Sequence, residues 1–379
     1  MQCLFEICRQ SPFERGRSSD DRHRRPKDRE QGLDFRHVKL NVPEMTHRPP
    51  ESRLSSDHRS FSDLGLPTLG LGTWKLPKPQ VPAVIREAVR LGYRHFDCAC
   101  DYGNEAEVGA GLESVVQEGL CRRDDLWVTS KLWNTYHEPK HVRAACERSL
   151  RDLKLDMLDL YLVHFPIALA YVPFDVRYPP EWFFDPAAEK PAMKPIAVPY
   201  ADTWGAMEEL QRAGLVKRIG VCNLNVSMLR EVLNTASIRP AVHQFEAHPY
   251  LIQERQVRFC QSEGIAVTAF SPLGAPSYLP LGMARPEESV LADPVVSGIA
   301  AALGRTPAQV VLRWGVQRGC AVIPKAQDFN HLSDNAQVFD FSLSAGQMQA
   351  IDALDRHRRF NDPGYFCEKA FNTFFPIFD

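Results

Sequence analysis

The segment Val81-Pro82-Ala83-Val84-Ile85-Arg86-Glu87-Ala88-Val89-Arg90-Leu91-Gly92-Tyr93-Arg94-His95-Phe96-Asp97 holds one complete structural step. Val81, Val84, Ile85, Ala88 and Val89 recur at helical spacing and form one apolar face. Gly92 supplies the stop, and Tyr93-Arg94-His95-Phe96 then reads as a strand that delivers Asp97 at its carboxyl end. The step recurs downstream. A helix over about 105–117, with Val108, Leu112, Val115 and Val116 inward, ends near Gly119 and leads to the strand Leu126-Trp127-Val128-Thr129-Ser130. A helix near 139–153 precedes a strand over Leu158–Val163. Further strands fit Ile219–Cys222, Ala241–Phe245, Ile265–Phe270 and Ala321–Ile323, with helices near 201–213, 226–235, 253–262, 307–317 and 346–354. A strand entering near Leu69–Gly72 brings the total to eight.

Eight strands alternating with helices form either a (β/α)8 TIM barrel or a long doubly wound sheet. No strand-rich or polar break divides the run, so the barrel fits better, as a single domain over residues 61–379. Residues 1–60 differ in kind. They hold 13 Lys/Arg and 10 Asp/Glu without sustained periodicity, a surplus of three positive charges that leaves −5 on the rest of a chain whose net charge is −2. Disorder is expected there, with a basic docking arm around Arg22, Arg24, Arg25 and Lys27 as the alternative. Ala168–Pro199 also departs from the repeat, being rich in proline and aromatics. It is read as a substrate loop or as a packed surface excursion.

Near-neutral charge gives no electrostatic reason to expect nucleic acid or an anionic membrane as partner. Uncharged stretches such as Leu160–Phe174 carry prolines and fall short of the roughly 20 apolar residues that span a bilayer. The ten cysteines are scattered, with only Cys98 and Cys100 close together, which is neither a zinc pattern nor a disulfide scaffold. A soluble, cytoplasmic protein with free thiols is the expectation.

Polar residues gather at the carboxyl ends of the strands, where barrel enzymes place their sites. Asp97 ends the second strand, Lys131 the third, His164 the fourth and Asn223 the fifth, while Gln244 lies within the sixth and Lys325 follows the eighth. A dinucleotide fingerprint is missing: Gly70-Leu71-Gly72 lacks the third glycine, and Gly109-Ala110-Gly111 falls inside a helix.

The motifs Gly70-Leu71-Gly72-Thr73-Trp74-Lys75, Tyr93-Arg94-His95-Phe96-Asp97 with Tyr102-Gly103-Asn104-Glu105, Ser130-Lys131-Leu132-Trp133, Leu158–His164 and Ile323-Pro324-Lys325 occur in that order. In these the chain resembles the aldo-keto reductase family over nearly all of residues 61–379. His164-Phe165-Pro166-Ile167, Tyr178-Pro179-Pro180, Arg359-Phe360-Asn361-Asp362-Pro363 and Phe375-Pro376-Ile377-Phe378 resemble its xylose and aldose reductase branch.

The resemblance implies a catalytic tetrad of Asp97, Tyr102, Lys131 and His164. Hydride delivered to a carbonyl carbon leaves a developing alkoxide, and the Tyr102 phenol would protonate it. Lys131 is expected to lower the phenol's pKa from its usual value near 10, with Asp97 holding the lysine charged. His164, as a neutral donor, would orient the substrate oxygen. The implied cofactor is NADPH, with NADH possible. Thr73, Trp74, Asn223, Gln244 and Phe270 fall at the nicotinamide end, Phe270 where the family usually has a stacking tyrosine. Ser271 and Leu273 follow the pyrophosphate, Lys325 and His331 the 2′-phosphate, and Asp334 and Asn335 the adenine. Ala326 stands at a usual serine and His331 at a usual arginine, so weak discrimination against NADH is expected. Asp101 and Asn361 fall at positions that bind substrate hydroxyls, or they act only as loop caps. Trp133 and Phe165 would wall the pocket. The reaction expected is reduction of open-chain aldoses to polyols by a monomer or homodimer. The alternatives are a sugar-phosphate or broad aldehyde reductase, and a non-catalytic nucleotide-binding redox sensor.

Overall fold

The computed structural model describes residues 58–61 and 63–378. The expected disorder and docking arm over residues 1–57 lie outside the described residues. Eight parallel strands form one sheet: β1 (Leu71–Gly72), β2 (His95–Asp97), β3 (Trp127–Leu132), β4 (Leu160–Val163), β5 (Ile219–Cys222), β6 (Val242–Glu246), β7 (Ala266–Phe270) and β8 (Cys320–Val322). Each pairs with its sequence neighbour, for example Gly72 with Asp97 and Lys131 with Leu162. The sheet closes on itself. Leu69 bridges Val322 in parallel, Gly70 N–H donates to the Val322 carbonyl at 2.9 Å, and Val322 N–H donates to the Thr68 carbonyl at 2.7 Å. The barrel expectation holds, and the doubly wound sheet is excluded by this closure.

Helices surround the strands: α1 (Val81–Arg90), α2 (Glu105–Gln117), α3 (Pro139–Leu153), α4 (Tyr200–Arg212), α5 (Val226–Thr235), α6 (Glu254–Ser262), α7 (Pro294–Leu303), α8 (Pro307–Gln317), α9 (Phe329–Ala336), α10 (Ala345–Asp352) and α11 (Pro363–Phe371). In α1 the five residues read as its apolar face are the ones buried. Gly109 belongs to packing rather than nucleotide binding, because a Cβ there would come within 2.4 Å of the Asp152 carbonyl oxygen on α3. At the amino-terminal end of the strands, Ser60–Phe61 pairs antiparallel with Leu66–Pro67. Phe61 and Leu66 pack against Trp127, Leu160, Val242, Ala266 and Ala321 and plug the barrel floor. This hairpin begins one residue before the boundary drawn from composition, and its two-residue strands are too short to show a period.

Helices α7, α9 and α11 were absent from the sequence expectation. The first, Pro294-Val295-Val296-Ser297-Gly298-Ile299-Ala300-Ala301-Ala302-Leu303, is apolar nearly throughout, and the other two span only 8 and 9 residues. Among the described residues no single helix is long and apolar enough to cross a membrane. The eight described cysteines are free and buried.

Candidate active site

Successive side chains of a strand point to opposite faces, and β3 uses both. Ser130 turns outward, where its hydroxyl donates to Glu105 on α2 at 2.5 Å, and Ser149 on α3 donates to the other Glu105 oxygen at 2.9 Å. Lys131 turns inward and is wholly buried. Its ammonium donates to Asp97 Oδ1 at 2.5 Å, to the Cys98 carbonyl at 2.9 Å and to the Tyr102 hydroxyl at 3.1 Å. All three ammonium protons are thereby assigned. Asp97 Oδ2 accepts from Gln244 Nε2 at 2.6 Å, so β2, β3 and β6 meet at one carboxylate. Tyr102 sits on the single turn Cys100–Tyr102 after β2, and His164 follows β4 with its ring edge-on to the phenol at 5.9 Å.

Burial disfavours the Lys131 ammonium, but Asp97, with smaller help from Tyr102 and Cys222, outweighs it and lifts the pKa above the ordinary lysine value. For Tyr102 the balance runs against the sequence expectation. Burial is the largest influence and raises the phenol's pKa; Lys131 pulls it down, while Asp97 and Asp101 push it up, and the result lies above the ordinary tyrosine value. Counting only the lysine overlooked desolvation and the carboxylate that neutralises its charge. The phenol is therefore held protonated, the form a proton donor requires.

His164 is kept neutral mainly by burial, against the pull of Asp101, whose carboxylate lies 3.2 Å from Nδ1. A carboxylate beside Nδ1 favours a proton on that nitrogen, which leaves Nε2 of a neutral ring as an acceptor. The neutral-donor role expected of His164 thus requires Asp101 to be engaged elsewhere, for instance by a substrate hydroxyl.

These groups open into a cleft of ≈ 910 Å³, its mouth included, at the carboxyl ends of the strands. Of the residues expected there, Trp74, Asp97, Asp101, Tyr102, His164, Phe165, Asn223, Gln244, Phe270, Ser271, Lys325 and Asn361 line it. Lys131 lies behind Tyr102. Trp133 does not line the cleft: it is fully buried, with Trp182 at 4.9 Å edge-on and His164 at 5.3 Å, so it backs the wall rather than forming it. Thr73 is buried and donates its hydroxyl to the Asp97 carbonyl at 2.9 Å. Leu273 packs half-buried against the core. His331, Asp334 and Asn335 lie on α9.

Trp182, Ser277, Tyr278, Leu281, Met283 and Phe366 also line the cleft and were not singled out. Trp182 comes from the Ala168–Pro199 excursion, whose aromatic density was the available signal. Tyr278 and Phe366 had none, since they arrive from a long loop and the tail helix.

The residues present suit a nicotinamide dinucleotide. Asn223 donates Nδ2 to the His164 carbonyl at 2.9 Å, while its buried Oδ1 has no partner, an acceptor ready for a carboxamide. Lys75, Asn223 and Ser271 adopt φ of 64°, 59° and 46°, left-handed backbone that non-glycine residues seldom take and that clusters at functional sites. Lys75 bonds to the Ser277 carbonyl, and burial together with nearby Lys325 lowers its pKa to about 7. Lys325 is held by Gln327 Oε1 at 2.8 Å. At the start of α9 the Asp328 carboxylate already accepts the N–H groups of Asn330 at 2.8 Å and His331 at 3.2 Å.

The sequence pattern of the Aldo/keto reductase family matches residues 64–356. A probable NAD(P)H-dependent D-xylose reductase of Arthroderma otae is 43% identical over 319 residues, covering 84% of this chain and 95% of that protein. The NADPH-dependent D-xylose reductase of Meyerozyma guilliermondii is 44% identical over 300 residues, covering 79% of this chain and 94% of that protein. The aldose reductase of Schistosoma japonicum superposes with a TM-score of 0.72 at 36% identity, covering 83% of this chain and 96% of that one.

Proposed function

The chain belongs to the aldo/keto reductase family and is an NAD(P)H-dependent oxidoreductase, and from that premise we propose that it reduces open-chain aldoses to polyols, with Tyr102 as the proton donor. The observation that carries this reading is the third donor of Lys131, spent on the Tyr102 hydroxyl at the floor of the cleft. Bound NAD(P)H supplies a hydride to the substrate's carbonyl carbon. The substrate oxygen, gaining negative charge, takes the phenol proton, and the Lys131 ammonium faces the phenolate so formed. Asp97 holds that ammonium in place without entering the cleft chemistry. Phe165, Trp182 and Phe366 wall the reacting end with rings that exclude water. Asp101 and Asn361 give the same wall polar groups fit for hydroxyls.

NADPH is the preferred cofactor in this reading, with modest discrimination against NADH. Lys325 offers one ammonium, Ala326 no hydroxyl and His331 at most one donor, while Asp328 occupies N–H groups at the helix start that a phosphate would otherwise use. A ratio of NADPH to NADH catalytic efficiency above about a thousand, roughly 4 kcal/mol, contradicts this. The free, buried cysteines support a reducing, cytoplasmic setting.

The aromatic walls favour a second reading, a broad-specificity aldehyde reductase. Steady-state rates with xylose, a sugar phosphate and simple aldehydes, followed by NADPH absorbance at 340 nm, separate the two. Turnover of simple aldehydes with none of xylose contradicts the aldose assignment.

A further inference from the structure

Glu246, the last residue of β6, has a carboxylate wholly removed from solvent and takes no part in the chemistry above. It accepts three hydrogen bonds: from His248 Nε2 at 2.9 Å, from the backbone N–H of Phe360 at 2.9 Å and from the backbone N–H of Asn361 at 2.8 Å. Burial pushes its pKa up, but the hydrogen bonds, His248 and nearby Arg359 more than reverse this, so the carboxylate is ionised. Charge-assisted bonds of this kind are the strong ones. Two of the donors belong to the carboxyl-terminal tail, 114 and 115 residues further along the chain.

The same tie reaches the loop after β7. The Phe360 ring lies stacked on Tyr278, with centroids 5.5 Å apart, and 5.3 Å from the His248 ring. The Tyr278 hydroxyl lies 2.8 Å from Ser271 Oγ. Ser271, Tyr278 and Asn361 all line the cleft, and the buried Asn361 Oδ1 has no partner. One carboxylate beneath the cleft therefore fixes the backbone that carries the Asn361 amide at the cleft wall.

We propose that Glu246 is a positioning residue for substrate recognition: by anchoring the backbone of Phe360 and Asn361 it sets the preference for hydroxylated over plain aldehydes. This rests on the reading that Asn361 meets a substrate hydroxyl. A neutral amide at position 246 turns an NH2 group toward backbone N–H groups or leaves one of them unpaired, and either displaces the tail.

The test compares glyceraldehyde with propanal, equal in length and differing in hydroxyls, using NADPH and the full chain. In the wild type kcat/KM favours glyceraldehyde. Glu246→Gln lowers that ratio about tenfold, through KM for glyceraldehyde, while KM for propanal and the Kd of NADPH from quenching of protein fluorescence stay within about twofold. In an Asn361→Ala background the same substitution adds no further loss of the ratio. Phe360→Leu, which leaves the carboxylate intact but removes the ring held between Tyr278 and His248, lowers the ratio in the same direction. Equal losses on both aldehydes, additive losses in the double variant, or an unchanged ratio in Phe360→Leu overturn the inference. A wild type indifferent to the hydroxyls overturns instead the assignment of Asn361 on which it rests.

Discussion

The two ends of the barrel each carry a buried aspartate bonded to basic side chains across neighbouring strands, and only one end is built for chemistry. At the amino-terminal end Asp159 accepts from Arg123 at 2.8 Å, from Lys217 at 2.8 Å and from the Val128 N–H at 3.0 Å. Both cations there remain about a third exposed, and the remaining Arg123 donors reach the Leu126 and Met157 carbonyls at 2.9 and 2.8 Å. At the carboxyl end Lys131 is wholly buried, its third donor rests on a phenol, the neighbouring Asn223 Oδ1 and Asn361 Oδ1 are buried without hydrogen-bond partners, and Asp101 Oδ1 lies 3.2 Å from His164 Nδ1. Buried polar atoms left unpaired cost stability, so a cluster of them around a cleft marks a site that awaits a ligand. An aspartate paired with a lysine is thus informative through what its spare donors and neighbours do, and much less through its presence.

Substitutions that separate the two ends sharpen the contrast. Lys131→Met lowers kcat about a thousandfold, while the Kd of NADPH changes little; retention of a tenth of the wild-type kcat breaks the distinction. Glu105 supplies a third case, a buried carboxylate with two serine hydroxyls and no cation. Burial raises its pKa to about 7 from 4.5, with the serines opposing. A pKa raised on folding means stability that is complete below about pH 4.5 and is lost as pH rises toward 7. Glu105→Gln escapes that loss, so in denaturant titrations it exceeds the wild type by up to about 3 kcal/mol at pH 8 and gains nothing below pH 5. At the amino-terminal end Asp159→Asn lowers stability by about 1–2 kcal/mol, discounted for the exposure of its cations, with kcat of the folded enzyme unchanged. A tenfold fall in kcat there contradicts its assignment as structural.

Much of this was legible in the residues. Helix α1 and strand β2 followed from the apolar spacing of Val81 to Val89 and from Gly92, because one face buried against a sheet imposes a period. Asp97, Lys131 and His164 were legible because barrel geometry brings strand ends together wherever they fall in sequence. What escaped depends on contacts that no local pattern encodes. Trp133 reads as a pocket wall until Trp182 from the excursion is placed against it. Tyr278 and Glu246 gain their meaning from a tail more than eighty residues away. The direction of the Tyr102 pKa is not legible in the sequence, which shows the charges that are near, whereas desolvation depends on how completely the fold encloses the phenol. The hairpin at the barrel floor escaped because its strands are two residues long.

The most direct test of the account is the rate of NADPH consumption at 340 nm with xylose, comparing the wild type with Tyr102→Phe at matched cofactor saturation. The expected result is steady consumption by the wild type, and a loss of at least about a thousandfold in the variant with the Kd of NADPH preserved. Comparable turnover by Tyr102→Phe would contradict it.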